Sequence, residues 1–344
     1  MKKYLTLLSK QENNIKILLV LYSFYCSYKI GMSWDEGYYH KIGEINLKYL
    51  LSFGQINEPF FMKDRFSTLY WSTASLINQI FPNRFEIEIF HIINTFFGLL
   101  TIVGLYKINK ILFNREVAKI SALFLFLTPF FFGHIAINNK DIILAFAHVW
   151  IIYYIYKYTF NDFILRERLI IILKLSLLAA LGTGIQLLFL GSLIPIVIIF
   201  LTLIVFYRRE KLKIIFLDLL FFIILFYIIL ITFWVDTHSN IFEKPIEILI
   251  KSFSMKIGWP FNLLNGTYYN SNDLPINYLL INYLYKLPEF IIFLYVITIP
   301  IFFFTKEYLK KIFNNSNIVI ILIILLLAYP TLILILIPYS IYDG

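Results

Sequence analysis

The chain has 344 residues, 60% of them hydrophobic and 19% aromatic, with a formal charge of +9. A soluble domain is close to half apolar, so this composition excludes one and predicts an all-α, polytopic integral membrane protein. A single cysteine, Cys26, excludes a disulfide framework and a cysteine-based metal site. Lys and Arg gather in the gaps between apolar runs rather than in one patch, which argues against a nucleic-acid partner.

In chain order, Met1-Lys2-Lys3 leads into an apolar run with no small-residue cleavage site, which predicts a retained helix rather than a removed signal peptide. A spanning helix needs about 20 apolar residues. Runs of that kind lie at 15–33, 88–106, 117–133, 142–157, 169–184, 186–206, 214–234, 287–304 and 318–338, roughly nine spans in all. The stretch 169–206 exceeds one span and is expected to break near Gly182-Thr183-Gly184. Basic residues in short loops resist translocation. With the N-terminus cytoplasmic, every basic cluster falls inside: Lys2 to Lys16, Lys107 to Lys119, Lys157 to Arg168, Arg208 to Lys213 and Lys306 to Lys311.

Two long segments, 34–87 and 235–286, then lie outside. The first has charges, Gly54, Pro59 and Pro82, and apolar stretches too short to span, so it is expected to hold one or two helices on the membrane surface. The second is rich in Asn, Tyr, Gly and Pro and is expected at the headgroup level. A shorter external loop covers about 133–141. With polar residues gathered on one side, the working surface is expected to be extracytoplasmic. Inside the spans, Lys29 and Lys174 are the notable charges, too few for an ion-coupled pump.

Asp35 and Glu36 follow the first span within Ser33-Trp34-Asp35-Glu36-Gly37-Tyr38-Tyr39-His40. An ionised Asp near hydrocarbon costs about 2.5–3.5 kcal/mol on insertion scales, so an acidic pair here marks a site or a water-filled cavity. A general base with a neighbouring acid is the functional reading; a solvated loop start is the bland one. Lys140 and Asp141 open the fourth span on the same side, a point charge suited to phosphate beside a carboxylate that meets a helix dipole. A helix cap with a snorkelling Lys is the alternative. His40 and His134, with the carboxylates, are candidates for a divalent metal, although no tight ligand spacing is present. Lys63-Asp64-Arg65 offers cations to an anionic headgroup. Neither a nucleotide-binding glycine loop nor a Gly-x-Ser-x-Gly elbow occurs.

Three stretches taken in order resemble the GT-C superfamily of membrane glycosyltransferases, in particular its protein O-mannosyltransferase and aminoarabinose transferase branch (glycosyltransferase family 39-like). They are Trp34-Asp35-Glu36 through His40 and Gly43; Phe132-Gly133-His134 through Asn139-Lys140-Asp141; and Trp259-Pro260-Phe261 with Gly266 and Asp273-Leu274-Pro275. The resemblance covers essentially the whole chain. It implies a polyprenyl-phosphate sugar donor, a hydroxyl acceptor on protein, lipid or glycan, and a membrane-lipid setting. It also implies that Asp35 is the base, that Glu36 and Asp141 support it, and that Lys140 or Arg65, with His134 and His40, lies near the donor phosphate. Asn139 stands where a Pro is expected, and Gln186 where an Arg is expected. The chain stops at Tyr342-Asp343-Gly344, where the family leads to an expectation of Arg-His and further spans, so it reads as truncated. A lipid or polysaccharide transporter and a non-catalytic accessory protein are the competing readings.

Overall fold

The computed structural model describes residues 2–56, 67–187, 189–207, 209–254, 260–270, 273–275, 277–304 and 329. Arg65, the Lys63-Asp64 pair beside it, Trp259, Arg208, the run 318–338 apart from Tyr329, and the C-terminal Tyr342-Asp343-Gly344 lie outside the described residues. The chain is mostly helical. α1 (Lys2–Lys29) is followed by α2 (Glu36–Leu51) and α3 (Leu69–Asn78). Next come α4 (Glu86–Leu112), α5 (Arg115–Leu127), α6 (Pro129–His134), α7 (Asp141–Phe160), α8 (Leu165–Ile185), α9 (Phe189–Tyr207) and α10 (Leu212–Thr232). α11 (Glu243–Ser254), α12 (Tyr278–Lys286) and α13 (Glu289–Phe304) complete the helices. Between α11 and α12 lies an antiparallel hairpin, β1 (Phe261–Leu264) and β2 (Thr267–Asn270), that the all-helical expectation did not include. Its two-residue turn, Asn265-Gly266, has φ of 49° and 79°, as a primed hairpin turn requires.

Among the described residues four helical stretches are long and apolar enough to cross a membrane: Asn83–Leu112, Asp141–Phe160, Leu165–Ile185 and Arg209–Thr232. The outward face of α10 carries Phe216, Leu217, Ile223 and Ile224, all exposed, as a helix facing lipid would. The apolar run 117–133 does not form one helix. α5 ends at Leu127 because Pro129 has no N–H to donate and forces Thr128 into an extended conformation, ψ 114°. α5 begins at a built cap, where the Asn114 side chain accepts from the Glu116 and Val117 amides, both at 2.9 Å.

The break in 169–206 falls close to its expected place, just after the glycines. α8 runs through Gly182-Thr183-Gly184 and ends at Ile185. These two glycines are packing points: a Cβ on Gly182 would lie 2.3 Å from the Phe189 ring, and one on Gly184 would lie 2.8 Å from the Ser67 carbonyl. Spans are also not as free of carboxylates as the composition suggested. Asp218, in the second turn of α10, is buried, forms an ion pair with Arg168 Nε at 2.8 Å and accepts from the Tyr158 hydroxyl at 2.6 Å. One carboxylate thereby ties α7, α8 and α10 together at the end opposite Lys140, with its charge compensated as a low-dielectric position demands.

α4 packs against α1, α5 and α7, while α8 lies between α7 and α10. α3 buries one of its faces in the bundle. Ala74 is buried, and Leu69, Tyr70 and Trp71 are buried in a cluster with Tyr39, Ile143, Leu181, Ile185, Leu230 and Trp234. It is held there by the Thr68 amide donating to the Phe233 carbonyl at 2.8 Å and by the Ser67 hydroxyl donating to Leu230 O at 3.1 Å. The contact between α2 and α3 depends on Gly43, where a Cβ would meet the Trp71 carbonyl oxygen at 2.5 Å and the Ser75 hydroxyl at 2.8 Å. Backbone cannot yield as a flexible side chain can. Gly43→Ala is therefore expected to lower the melting temperature in detergent by several degrees, an overpacking penalty of about 1–3 kcal/mol. Gly191→Ala, in α9 where an added Cβ would meet nothing within 4 Å, is the control and should be neutral or slightly stabilising.

Candidate active site

α4 is the scaffold on which two loops are hung. Its early turns carry His91 and Asn94, three residues apart and so on one face of the helix. Asn94 Oδ1 accepts from the Tyr70 hydroxyl at 3.0 Å, while its Nδ2 donates to the carbonyls of Ile135, Ala136 and Asn138 at 3.1, 3.2 and 3.0 Å. One buried amide thus fixes the segment that leads into α7. Asn138 then caps that helix: its Oδ1 accepts from the Lys140 and Asp141 amides at 3.2 and 2.8 Å. The Asn138 Nδ2 donates to Asp141 Oδ2 at 2.8 Å. Asp141 is exposed, and its described contacts are those of a carboxylate in a helix's first turn.

The adjacent acids Asp35 and Glu36 have opposite environments. Glu36 is 2% exposed; its Oε1 lies 2.8 Å from His91 Nε2, and its Oε2 accepts from the Ser33 amide at 2.5 Å. His91 Nε2 makes no well-aligned hydrogen bond with that oxygen, and the two side chains meet as a close buried pair. Asp35 has a side chain 51% exposed, and its Oδ2 lies 3.6 Å from Lys140 Nζ. An exposed pair of this kind is worth about 0–1 kcal/mol, whereas breaking a buried one costs about 3–5 kcal/mol. Glu36 is therefore committed to the fold, and Asp35 is the acid available to a ligand.

Lys140 is brought to Asp35 across more than a hundred residues of chain. Its Nζ sits 4.9 Å from the centroid of the Tyr39 ring, which stacks on Trp71 with centroids 4.8 Å apart and planes at 16°. Burial pulls the Lys140 ammonium down. The Tyr39 hydroxyl and the Asp35 and Asp141 carboxylates outweigh it, and the net value is raised above that of an ordinary lysine. A fixed cation, an available carboxylate and an aromatic face thus share one surface. Such a set can hold a phosphate and accept a proton from a hydroxyl.

The remaining candidates are placed differently. His40 is buried, with its ring flat on Phe90 at 3.7 Å and 12°. Burial pulls its imidazole down to about 4, with Glu36 opposing and His91 adding to the shift. A buried neutral ring is a packing element, not a cation for phosphate. His134 lies against Phe130 with centroids 4.8 Å apart, and its Nδ1 is 3.5 Å from Asn138 Nδ2. Among the described residues no three His, Cys, Asp or Glu side chains gather as a metal would require. His91, Asn94, Asn138 and Tyr39 were missed as site-forming residues. The available signal was polar side chains at helical spacing in the first turns of an apolar span.

The depressed His40 sets a direction for acid stability. Below its ordinary value of 6.5 the unfolded chain takes up a proton there, and the folded one does not until about 4. Stability is therefore lost as pH falls through that window. His40→Phe, which keeps the stack on Phe90, should lose less melting temperature than the parent between about pH 7 and about pH 4.5. Equal losses would assign the acid sensitivity elsewhere.

Residues 69–234 match the family described as dolichyl-phosphate-mannose-protein mannosyltransferase. No curated protein and no solved structure matches the chain significantly. The matched segment runs from α3 to Trp234, just past α10; it contains His91, Asn94 and the loop carrying Asn138 to Asp141, while Asp35 and Glu36 precede it. It agrees with the part of the resemblance carried by the loop before α7, and over that segment it supports a membrane glycosyltransferase of the mannosyltransferase type.

Proposed function

We propose that the protein moves a sugar from a polyprenyl-phosphate donor to a hydroxyl acceptor, with Asp35 as general base and Lys140 on the donor phosphate. The observation that carries this reading is the weak pair between Asp35 and Lys140, 3.6 Å apart on two chain-distant loops. A donor phosphate exchanges with Asp35 for Lys140 at little energetic loss, because the exposed pair is worth only about 0–1 kcal/mol. The same exchange frees the carboxylate at the moment it is needed.

In the transfer step, Asp35 takes the proton of the acceptor hydroxyl as its oxygen attacks the anomeric carbon from the face opposite the phosphate. The bond from anomeric carbon to phosphate oxygen breaks, and that oxygen leaves with the electron pair. Lys140, kept protonated by the carboxylates around it, stabilises the developing charge. The donor is already activated, so the step needs no nucleotide. Acceptor hydroxyls on protein, lipid or glycan satisfy the same chemistry. The site opens on the extracytoplasmic side with the N-terminus cytoplasmic, a placement supported by the run of basic clusters at the opposite ends of the helices.

The test is transfer of labelled sugar from a polyprenyl-phosphate hexose by purified protein. Asp35→Asn should lower kcat by about 10²–10⁴-fold, the range of general-base catalysis. Lys140→Ala should raise the donor KM by about tenfold or more, and Lys140→Arg should restore part of it. Asp141→Asn should have the mildest effect of the three. Transfer by Asp35→Asn at the parental rate would remove Asp35 from the role of base.

A further inference from the structure

The loop that presents Asp35 has little packing of its own. Between the end of α1 and the start of α2, Ile30, Met32 and Trp34 are exposed, Trp34 by 94%, and a Cβ on Gly31 would meet nothing within 4 Å. Two points on either side of it are nevertheless fixed, and both are fixed by one side chain. His91 Nδ1 lies 3.2 Å from the carbonyl oxygen of Ser27, in the last turn of α1. Its Nε2 lies 2.8 Å from Oε1 of Glu36, the first residue of α2. One turn further along α4, Thr95 Oγ1 meets the Ser27 hydroxyl at 2.5 Å and supports the same anchor.

The chemistry of these partners limits what the ring can be. A carbonyl only accepts, so Nδ1 carries hydrogen. Glu36 and Nε2 then share a single proton, as an imidazolium facing a carboxylate or as a neutral ring facing a carboxylic acid. Either arrangement is neutral overall, which suits a pair of side chains 0% and 2% exposed. The second oxygen of Glu36 holds the Ser33 amide and so reaches into the loop itself, two residues before Asp35.

We propose that His91 is a positioning residue for Asp35, clamping both ends of the loop at residues 28–35 and acting on it through Glu36. The proposal rests on the reading of Asp35 as the base. Neither His91 nor Glu36 touches the reacting groups. Their contribution is to hold the Asp35 carboxylate where an acceptor hydroxyl and Lys140 meet.

Two readouts on His91→Ala test this. The first is kinetic: kcat for sugar transfer should fall by about 10²-fold, the penalty for a displacement of about 1 Å, with the donor KM unchanged. Glu36→Gln should fall comparably, and the double variant should be no worse than either single one, because both act through one contact. His91→Gln, which keeps an amide donor toward Glu36, should recover most of the rate and guards against a folding defect in the alanine variant. The second readout is hydrogen exchange at the Ser33 amide in the full-length protein, which should quicken in His91→Ala and Glu36→Gln. Unchanged exchange in His91→Ala, additive losses in the double variant, or a rise in donor KM at constant kcat would each overturn the proposal. If exchange quickens while Asp35→Asn transfers sugar normally, the clamp stands and Asp35 is not the base.

Discussion

Polar atoms on a helix inside a bilayer have no water to turn to, and each one left without a partner costs several kcal/mol. α4 places two such side chains, His91 and Asn94, in its opening turns, and both are fully or almost fully buried. Their partners have to come from other parts of the chain, and the parts at hand are the two loops that carry the charged residues. Asn94 takes three carbonyls from the loop before α7, and His91 takes Ser27 and Glu36 on either side of the loop after α1. The need to satisfy α4 is thus what brings Asp35 and Lys140 to one surface. The family match covers α4 and the second of these loops, which places the scaffold, rather than the acidic pair, inside the matched segment.

The contrast between Asp35 and Glu36 shows how one residue of offset decides a role. Consecutive residues at a helix start point in different directions, so Glu36 turns inward onto His91 while Asp35 stays at the mouth. The inward acid is immobilised in a contact that is expensive to break. The outward acid is held only by a long, partly exposed contact with Lys140. An exposed acid and its fixed neighbour are made from the same residue chemistry by burial alone. At the far end of the bundle, Asp218 repeats the inward case, with Arg168 and Tyr158 completing it.

Much of the element order was readable from apolar run length. The runs at 88–106, 142–157, 169–184 and 214–234 correspond to α4, α7, α8 and α10. Local chemistry that length counting ignores accounts for the departures. Pro129 splits the run at 117–133 into α5 and α6. The break expected near Gly182-Thr183-Gly184 comes just after Ile185, and the two glycines let the Phe189 ring and the Ser67 carbonyl approach the last turns of α8. Of the site, Asp35 and Lys140 were visible as charges flanking apolar runs. His40 was visible too, but its burial against Phe90 was not, since an imidazole reads the same in solvent or in a core.

From the sequence by itself follow the membrane class, the helical character, the acid after the first helix and the Lys-Asp pair before α7, because composition and run length act locally. Tertiary structure alone decided that Asp35 and Lys140 are neighbours, that Glu36 belongs to the fold, and that His91 and Asn94 organise both loops. Those outcomes depend on which buried polar atom finds which partner, a matter of distances between segments far apart in the chain, which no local pattern of residues encodes.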